Sequence, residues 1–224
     1  MADTMRQKEE ILRDRITSME SMVLGFSGGV DSTLLAYVGT ELLKDRCLCV
    51  TVREAYHSQE EFEESVQLAE TLGFRQKVYT RGLVDRDFIR LNPRDRCYAC
   101  KREIFSFLES IRAQEGFRYL ADGSNVDDLG DYRPGLRALK ELHVRSPLRE
   151  AGLTKEDIRN LSRKYGLPGV AHPLWGGNNA AEASAGGSGR EDSQRSWVCA
   201  ISPSSPWGYS KNRSGKAGES AIFR

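Results

Sequence analysis

The sequence predicts an α/β protein built on a parallel sheet, followed by a tail of different composition. Over residues 1–170, short runs rich in Val, Leu and Phe alternate with longer amphipathic stretches, which is typical of βαβ units. Beyond about residue 170 the chain is rich in Gly, Ser, Ala and Asn, and its apolar residues follow neither the helical nor the strand period. We therefore expect one folded domain over 1–170 and an atypical, largely disordered tail over 171–224.

The predicted strands are the short apolar runs, and the predicted helices are the amphipathic stretches between them. The strands cover 22–26, 47–52, 77–80 and 117–121, and the helices cover about 32–44, 60–72, 98–115 and 155–165. Gly73 is expected to end the second helix, because glycine after the last periodic residue is a common helix stop. Thr154 is the expected N-cap of the last helix, which ends at Gly166.

Charge and composition exclude several classes of protein. The 33 Lys and Arg residues nearly balance the 32 Asp and Glu residues, so a generic basic surface for nucleic acid is not expected. No run approaches the roughly 20 apolar residues of a membrane helix, and the N-terminus lacks the apolar core of a secretory signal. Five cysteines are an odd number, which favours free thiols in a reducing compartment. We expect a cytoplasmic protein that does not contact a membrane.

A glycine-containing loop follows the first predicted strand and opens the first predicted helix. Its glycines let backbone amides approach an anion, and the helix N-terminus adds unpaired N–H groups and partial positive charge. An aspartate beside such a cradle implies Mg²⁺ between it and the phosphate. The candidate phosphate-binding residues are Ser27, Gly28, Gly29, Val30, Asp31, Ser32 and Thr33. The alternative is a tight strand-to-helix turn in which Ser32 or Asp31 caps the helix.

The pattern Ser-Gly-Gly-x-Asp-Ser of this loop resembles the signature of the PP-loop ATP pyrophosphatases. That resemblance implies a doubly wound parallel sheet of the adenine-nucleotide α-hydrolase type, ATP as the nucleotide, and cleavage between the α and β phosphates. In such a sheet the ligand lies at the carboxyl ends of the strands. Backbone groups near Val52, at the end of the second strand, are then the expected adenine contacts.

A second polar loop follows the fourth predicted strand. Its candidate nucleotide-binding residues are Asp122, Gly123, Ser124 and Asn125, and its candidate Mg²⁺ ligands, with Asp31, are Asp127 and Asp128. The alternative is ordinary turn chemistry, with Asp127 capping a helix. Arg145, in a rigid context before Pro147, is a further candidate for binding phosphate or carboxylate, although a surface arginine is an equal alternative.

Cys97 and Cys100 form a single C-x-x-C at the start of the third predicted helix. Such a pair can be half of a zinc site, a redox pair, part of an iron–sulfur site, or two structural thiols. Arg94, Arg96, Lys101 and the helix start are expected to lower the pKa of a thiol here, which favours reactivity.

Four segments in order resemble the LarE family of ATP-dependent sacrificial sulfur transferases: SGGVDST, NPRDRCYACK, DGSNVDDLGDYRPGLRAL and VRSPLREAGLTKEDIRNLSRKYGLP. The resemblance implies adenylation of a carboxylate on a pyridinium dicarboxylate mononucleotide. It then implies sulfur transfer either from a sacrificed cysteine or from a [4Fe–4S] cluster held by the C-x-x-C and a third cysteine. The product is a precursor of a nickel-pincer nucleotide.

The resemblance covers about residues 5–168 and stops before the family's Cys-Leu-x-Ser-Arg segment. Cys199 is the remaining downstream thiol and matches that segment only in residue type. Three alternatives therefore stay open: an amidating PP-loop enzyme, a tRNA-thiolating enzyme, and a catalytically inactive nucleotide-binding protein. A small-molecule nucleotide is the expected partner, and a homo-oligomer is compatible with the sequence.

Overall fold

The structure is a computed structural model that describes residues 2–53, 59–82, 96–129 and 134–168. The helices are α1 (Ala2–Met19), α2 (Val30–Leu43), α3 (Gln59–Thr71), α4 (Arg96–Gln114), α5 (Pro134–Glu141), α6 (Pro147–Glu150) and α7 (Lys155–Lys164). The strands are β1 (Met22–Gly25), β2 (Cys47–Arg53), β3 (Gln76–Thr80) and β4 (Tyr119–Ala121), and short 3₁₀ helices cover Lys44–Arg46 and Val126–Leu129. The predicted tail over 171–224, with Cys199, lies outside the described residues.

The four strands form one parallel sheet in the order β3-β2-β1-β4. The chain winds outward from β1 to β3 and then returns to the other side of β1, where Met22 of β1 is in register with Tyr119 of β4. This arrangement confirms the predicted doubly wound sheet. It also makes the carboxyl ends of β1 and β4 a topological switch point, which is where open α/β sheets bind their ligands.

The alternating side chains of the strands divide the core into two layers. Met22, Leu24 and Phe26 face the layer that contains α1, α2 and α7, whereas Val23 faces the layer that contains α4 and α5. In β2, Cys49 belongs to the first layer and its neighbours to the second. Because both faces of the sheet are covered at its centre, β1 and β2 are buried along almost their whole length, whereas β3 at the edge is only half-buried.

The N-terminal helix α1 was not predicted from the sequence. Its Leu12, Ile16 and Met19 recur at helical spacing, and all three are fully buried. The helix is also held by charge, because Lys8 Nζ lies 2.6 Å from the carboxylate of Asp157 on α7. Hydrophobic burial and a long-range ion pair thus dock α1 beside α2 and α7.

The predicted element boundaries agree closely with the observed ones where the local signals are strong. Thr154 is the N-cap of α7 in a full capping box, accepting from the backbone N–H of Asp157 while the Asp157 carboxylate accepts from the Thr154 N–H. Gly73 and Gly166 have φ of 68° and 65°, the left-handed conformation that ends helices. Within the described ranges, no helix is both long and apolar enough to cross a membrane.

Candidate nucleotide-binding site

The loop between β1 and α2 is preorganised by its own hydroxyl groups. Gly28 has a φ of 79°, which a residue with a side chain rarely adopts, and Gly29 is the N-cap of α2 with no side chain capping it. The Ser27 and Ser32 hydroxyls lie 3.0 Å apart, and Ser32 donates to the Gly29 carbonyl at 3.0 Å. Thr33 donates to the Gly28 carbonyl at 3.1 Å. The start of α2 is therefore not closed by a Ser32 or Asp31 cap.

The loop after β4 packs directly against the first turn of α2. A Cβ atom on Gly123 would lie 3.1 Å from the Ser32 nitrogen and 3.3 Å from its Cα, so only glycine fits without a shift. Beside it, the Asn125 amide nitrogen donates to the Asp31 carboxylate at 3.1 Å. The structure thus brings the two polar loops, predicted separately from the sequence, together at the switch point.

Asp31 lies between these loops among charged side chains. Burial raises the pKa of Asp31 to about 6, and the negative charge of the neighbouring Asp128 acts in the same direction. Lys155 and Arg159 on α7 oppose this effect with their positive charges. These two cations were not predicted to belong to the site, although their spacing of four residues places them on one face of α7.

The predicted Mg²⁺ ligands differ in their surroundings. Asp128 is buried and accepts from the Asn125 N–H at 2.9 Å, close enough to Asp31 for the two charges to repel. The Asp127 carboxylate instead accepts from the Lys155 N–H at 2.7 Å, so it caps the start of α7, which is the structural alternative considered for it.

A divalent cation bound here would have two protein ligands, Asp31 and Asp128, rather than a complete shell of protein ligands. Across residues 2–53, 59–82, 96–129 and 134–168, no group of three or more His, Cys, Asp or Glu side chains is placed to hold a metal ion. Mg²⁺ commonly takes one or two carboxylates and completes its shell with water and substrate phosphates. A cation would also relieve the repulsion that burial and Asp128 impose on Asp31.

Several predicted nucleotide contacts are engaged in bonds that shape the site. Asp122 is buried and accepts hydrogen bonds from Ser124 and, at 2.6 Å, from Ser146. The Arg145 guanidinium forms a two-point ion pair with Glu150, its Nε lying 2.8 Å from the carboxylate. Asp122 and Arg145 therefore tie β4 to the segment that leads into α6, and their contact with a nucleotide stays a prediction.

The carboxyl end of β2 lies beside the glycine loop. Val52 is buried, and its neighbour Thr51 donates its hydroxyl hydrogen to the Phe26 carbonyl at 2.8 Å. Gln76 on β3 donates to the same hydroxyl at 2.9 Å. Neither Thr51 nor Gln76 was among the predicted site residues, because the sequence does not show which side chains meet across strands.

The C-x-x-C lies at the start of α4, on the opposite side of the sheet from α2. Cys100 is fully buried in the core layer of α4 and α5, whereas Cys97 is partly exposed. A Cβ atom on Gly135 of α5 would lie 3.4 Å from the Cys97 carbonyl, so α5 covers this end of α4 closely. No disulfide joins the four described cysteines, Cys47, Cys49, Cys97 and Cys100.

Sequence comparison assigns this domain to a family. The model of the NAD synthase family matches residues 4–88, which include α1, the glycine loop and the first three strands. The chain is 34% identical over 165 residues to the pyridinium-3,5-bisthiocarboxylic acid mononucleotide synthase of Lactiplantibacillus plantarum, covering 73% of this chain and 60% of that protein. Residues 4–88 thus match a domain of the NAD synthase and PP-loop type. The resemblance to the LarE family is thereby confirmed at the level of sequence, over about three fifths of the length of that relative.

Solved structures with the same fold agree with this assignment. The NH₃-dependent NAD synthetase from Campylobacter jejuni superposes with a TM-score of 0.58 at 20% identity, over 73% of this chain and 74% of that one. The U34-tRNA thiolase NcsA from Methanococcus maripaludis, solved with its [4Fe–4S] cluster, gives 0.57 at 21% identity, over 75% and 64%. At these identities the structures establish the PP-loop fold alone.

Proposed function

We propose that this domain binds ATP at the switch point and transfers AMP to a carboxylate of a pyridinium dicarboxylate mononucleotide, as the first half of a sulfur transfer. The observation that carries the proposal is the meeting of the two polar loops, in which Gly123 packs on the Ser32 backbone and Asn125 bonds Asp31. This contact places the glycine loop beside the acidic pair Asp31 and Asp128. The 34% identity to a mononucleotide synthase supports the choice of acceptor.

The chemistry requires a pyrophosphate leaving group. A carboxylate resists attack by sulfur because its own leaving group would be oxide, and an acyl-adenylate replaces that group with AMP. In the proposed step a carboxylate oxygen attacks the α phosphorus, the bond from that phosphorus to the bridging oxygen of the β phosphate breaks, and pyrophosphate leaves. The uncapped start of α2 would provide amide N–H groups for that anion, whereas the Gly29 N–H donates to the Ser27 hydroxyl at 3.2 Å.

Charged side chains complete the proposed site. Mg²⁺ held by Asp31 and Asp128 would neutralise charge on the phosphates. Lys155 and Arg159 on α7 act on Asp31 with their positive charges and lower its pKa. A site with two acidic and two basic side chains can bind a cation and a polyanion together. It is less suited to binding either ion alone.

Sulfur transfer would follow at a thiol. Cys97 is the more accessible member of the described C-x-x-C, since Cys100 is closed inside the core. We assign Cys97 and Cys100 as the candidate site for sulfur or for an iron–sulfur cluster, with Cys199 in the tail as the candidate third cysteine or sacrificial donor. Attack of a thiolate on the acyl-adenylate forms a thioester and releases AMP. A base then removes the Cα proton of that cysteine, its electron pair forms the Cα=Cβ bond of dehydroalanine, and the Cβ–S bond breaks to leave a thiocarboxylate.

Pyrophosphate release tests the proposal. The full chain is incubated with ATP, Mg²⁺ and the pyridinium dicarboxylate mononucleotide, and released pyrophosphate and acyl-adenylate are quantified beside an Asp31→Asn control. We expect release that depends on the mononucleotide and is lost in the control. ATP binding without release would identify an inactive nucleotide-binding protein. In an active sample, intact mass then reports sulfur loss, because conversion of cysteine to dehydroalanine removes one sulfur and two hydrogen atoms.

A further inference from the structure

A chain of side-chain hydrogen bonds runs across three strands behind the glycine loop. The Gln76 amide nitrogen on β3 donates to the Thr51 hydroxyl on β2 at 2.9 Å, and Thr51 donates to the Phe26 carbonyl at 2.8 Å. The direction is fixed by chemistry, because a carbonyl can only accept, so the Thr51 oxygen must accept from its other neighbour. Thr51 is only 5% exposed, and Phe26 is the residue directly before the loop.

These hydrogen bonds set the orientation of the peptide group between Phe26 and Ser27, which is the first of the glycine loop. The described peptide bonds are trans, so the carbonyl of Phe26 and the N–H of Ser27 point in opposite directions. Because Thr51 holds the carbonyl toward β2, the N–H of Ser27 points away from β2. A rotated peptide would instead present a carbonyl oxygen to an anion, which is repulsive.

The next carbonyls of the loop are held by the same kind of contact. The Gly28 carbonyl accepts from the Thr33 hydroxyl at 3.1 Å. The Gly29 carbonyl accepts from the Ser32 hydroxyl at 3.0 Å and from the Thr33 N–H at 2.9 Å. Thr33 and Ser32 belong to α2 and lie inside the signature of the loop, whereas Thr51 supplies the equivalent contact from another strand.

We propose that Thr51, oriented by Gln76, is a positioning residue of the phosphate-binding loop. Its hydroxyl turns the first peptide of the loop so that an N–H group faces pyrophosphate. The inference rests on the proposed function, since it takes the loop to bind the pyrophosphate part of ATP. The single hydroxyl hydrogen of Thr51 is donated to Phe26, so it is not available to an adenine at the end of β2.

The test measures affinities of inorganic pyrophosphate and of AMP for the full chain with Mg²⁺ by calorimetry. Thr51→Val keeps the shape of the side chain and removes the hydroxyl. We expect it to weaken pyrophosphate binding about tenfold, the effect of one lost hydrogen bond, with AMP binding unchanged. Thr51→Ser restores the hydroxyl and is expected to restore parental affinity for pyrophosphate.

Substitutions at Gln76 provide a second test, because one of them reverses the direction of the hydrogen bond between residue 76 and Thr51. In Gln76→Glu the ionised carboxylate can only accept, so it draws the Thr51 hydrogen away from Phe26. We expect a loss of pyrophosphate affinity similar to that of Thr51→Val, and a smaller, two- to threefold loss in Gln76→Leu, which leaves the Thr51 donor in place. Combined with Thr51→Val, the Gln76→Glu change is expected to add little, because both act through one contact.

The outcomes separate the inference from the proposed function. A parent chain that binds no pyrophosphate overturns both. A parent that binds it while Thr51→Val binds it equally well overturns only the positioning role. Equal losses for AMP and pyrophosphate in Thr51→Val also overturn it, because they indicate an adenine contact or a general loss of structure. If Thr51→Val does not fold, the comparison of Gln76→Glu with Gln76→Leu decides. Equal affinities of these two variants for pyrophosphate contradict the positioning role of Thr51.

Discussion

Asp31, a proposed Mg²⁺ ligand, lowers the stability of the fold when it is ionised. The folded-state pKa of about 6 lies above the ordinary 3.8, so the folded protein binds this proton more tightly than the unfolded chain does. Stability from this group is greatest below pH 4 and falls as the pH rises to about 6. The difference of roughly two pH units corresponds to at most about 3 kcal/mol.

Asp31→Asn is therefore expected to have opposite effects on folding and on ligand binding. The variant removes a destabilising charge and keeps an acceptor for Asn125, so at pH 7.5 its free energy of unfolding should rise by about 1–3 kcal/mol. Its affinity for ATP with Mg²⁺ should fall at least tenfold, because a cation ligand is lost. Urea unfolding and calorimetry measure the two effects.

Asp14→Asn, on the exposed side of α1, is the control for Asp31→Asn. It should change neither quantity by more than the usual small effect of a surface substitution. An Asp31→Asn variant that is less stable than the parent, and binds ATP with Mg²⁺ unchanged, would contradict the role assigned to this carboxylate.

Gly123 is the residue where the two loops touch, and the contact allows no side chain. In Gly123→Ala the new Cβ meets the Ser32 backbone at 3.1–3.3 Å, so the loop or the first turn of α2 must move by a few tenths of an ångström. We expect about tenfold weaker ATP binding and a stability loss of about 1–3 kcal/mol. Gly82→Ala is the matched control, since a Cβ there meets no atom within 4 Å. Equal ATP affinities in the two variants would show that the loop contact does not shape the site.

At the scale of elements, the start of α7 links folding to the site. Its capping box fixes the first turn, which also carries Lys155 toward Asp31. Thr154→Ala is expected to cost about 1 kcal/mol of stability and to weaken ATP binding a few fold by loosening that turn. Ser18→Ala, an exposed hydroxyl that bonds only to its own helix, is the control for removing a hydroxyl group. Denaturation midpoints and ATP titrations of both variants check the prediction, and unchanged ATP affinity in Thr154→Ala would uncouple the cap from the site.

The sequence predicts those elements whose signals are local. The short runs of strand-forming residues predict the four described strands, and Thr154 and Gly166 bracket α7 correctly because caps depend on neighbouring residues. The glycine loop is predicted for the same reason. Helix α1 has an equally local signal in the spacing of Leu12 and Ile16, but charged residues separate its few apolar positions and make that period weak.

The remaining features of the site depend on tertiary contacts. Asp127 and Asp128 are adjacent in sequence, yet one caps α7 and the other lies beside Asp31, and nothing local distinguishes them. Lys155 joins the site only because α7 begins next to the loop after β4. The Thr51–Gln76 contact likewise depends on strand order and register.

At the scale of the whole molecule, α1 closes the domain by binding the end of α7. Glu9 accepts from Lys164 at 2.7–2.8 Å and from the Tyr165 hydroxyl, while Lys8 binds Asp157 at the other end of α7. The first and last described helices thus hold each other along their length. The start of α7 lies beside Asp31, and α1 holds α7 along its length. The N-terminal helix therefore helps to fix the position of Lys155 and Arg159 near Asp31.

These ion pairs predict how acid unfolds the protein. Burial alone acts to raise the pKa of Glu9 and of Asp157, but hydrogen bonds from Lys164 and Tyr165 and from Lys8 hold both pKa values below the ordinary range. A lowered carboxyl pKa stabilises the fold above its unfolded value, and that stability is lost as the pH falls through the folded value. The Asp31 effect has the opposite sign, so stability should be greatest near pH 4–5 and should decline on both sides.

Variants of the two groups should change different limbs of this pH profile. Glu9→Gln removes the carboxylate that binds Lys164 and Tyr165. It is expected to flatten the decline of the free energy of unfolding below pH 4.5, because less stability remains to be lost on protonation. Asp31→Asn should flatten the decline between pH 4 and 6 and leave the acid limb unchanged. Urea midpoints from pH 3 to 8 measure both limbs at low salt and at 1 M NaCl. The high salt concentration screens the ion pair between Glu9 and the exposed Lys164. Parallel profiles for the parent and both variants would show that neither group controls the stability of the domain.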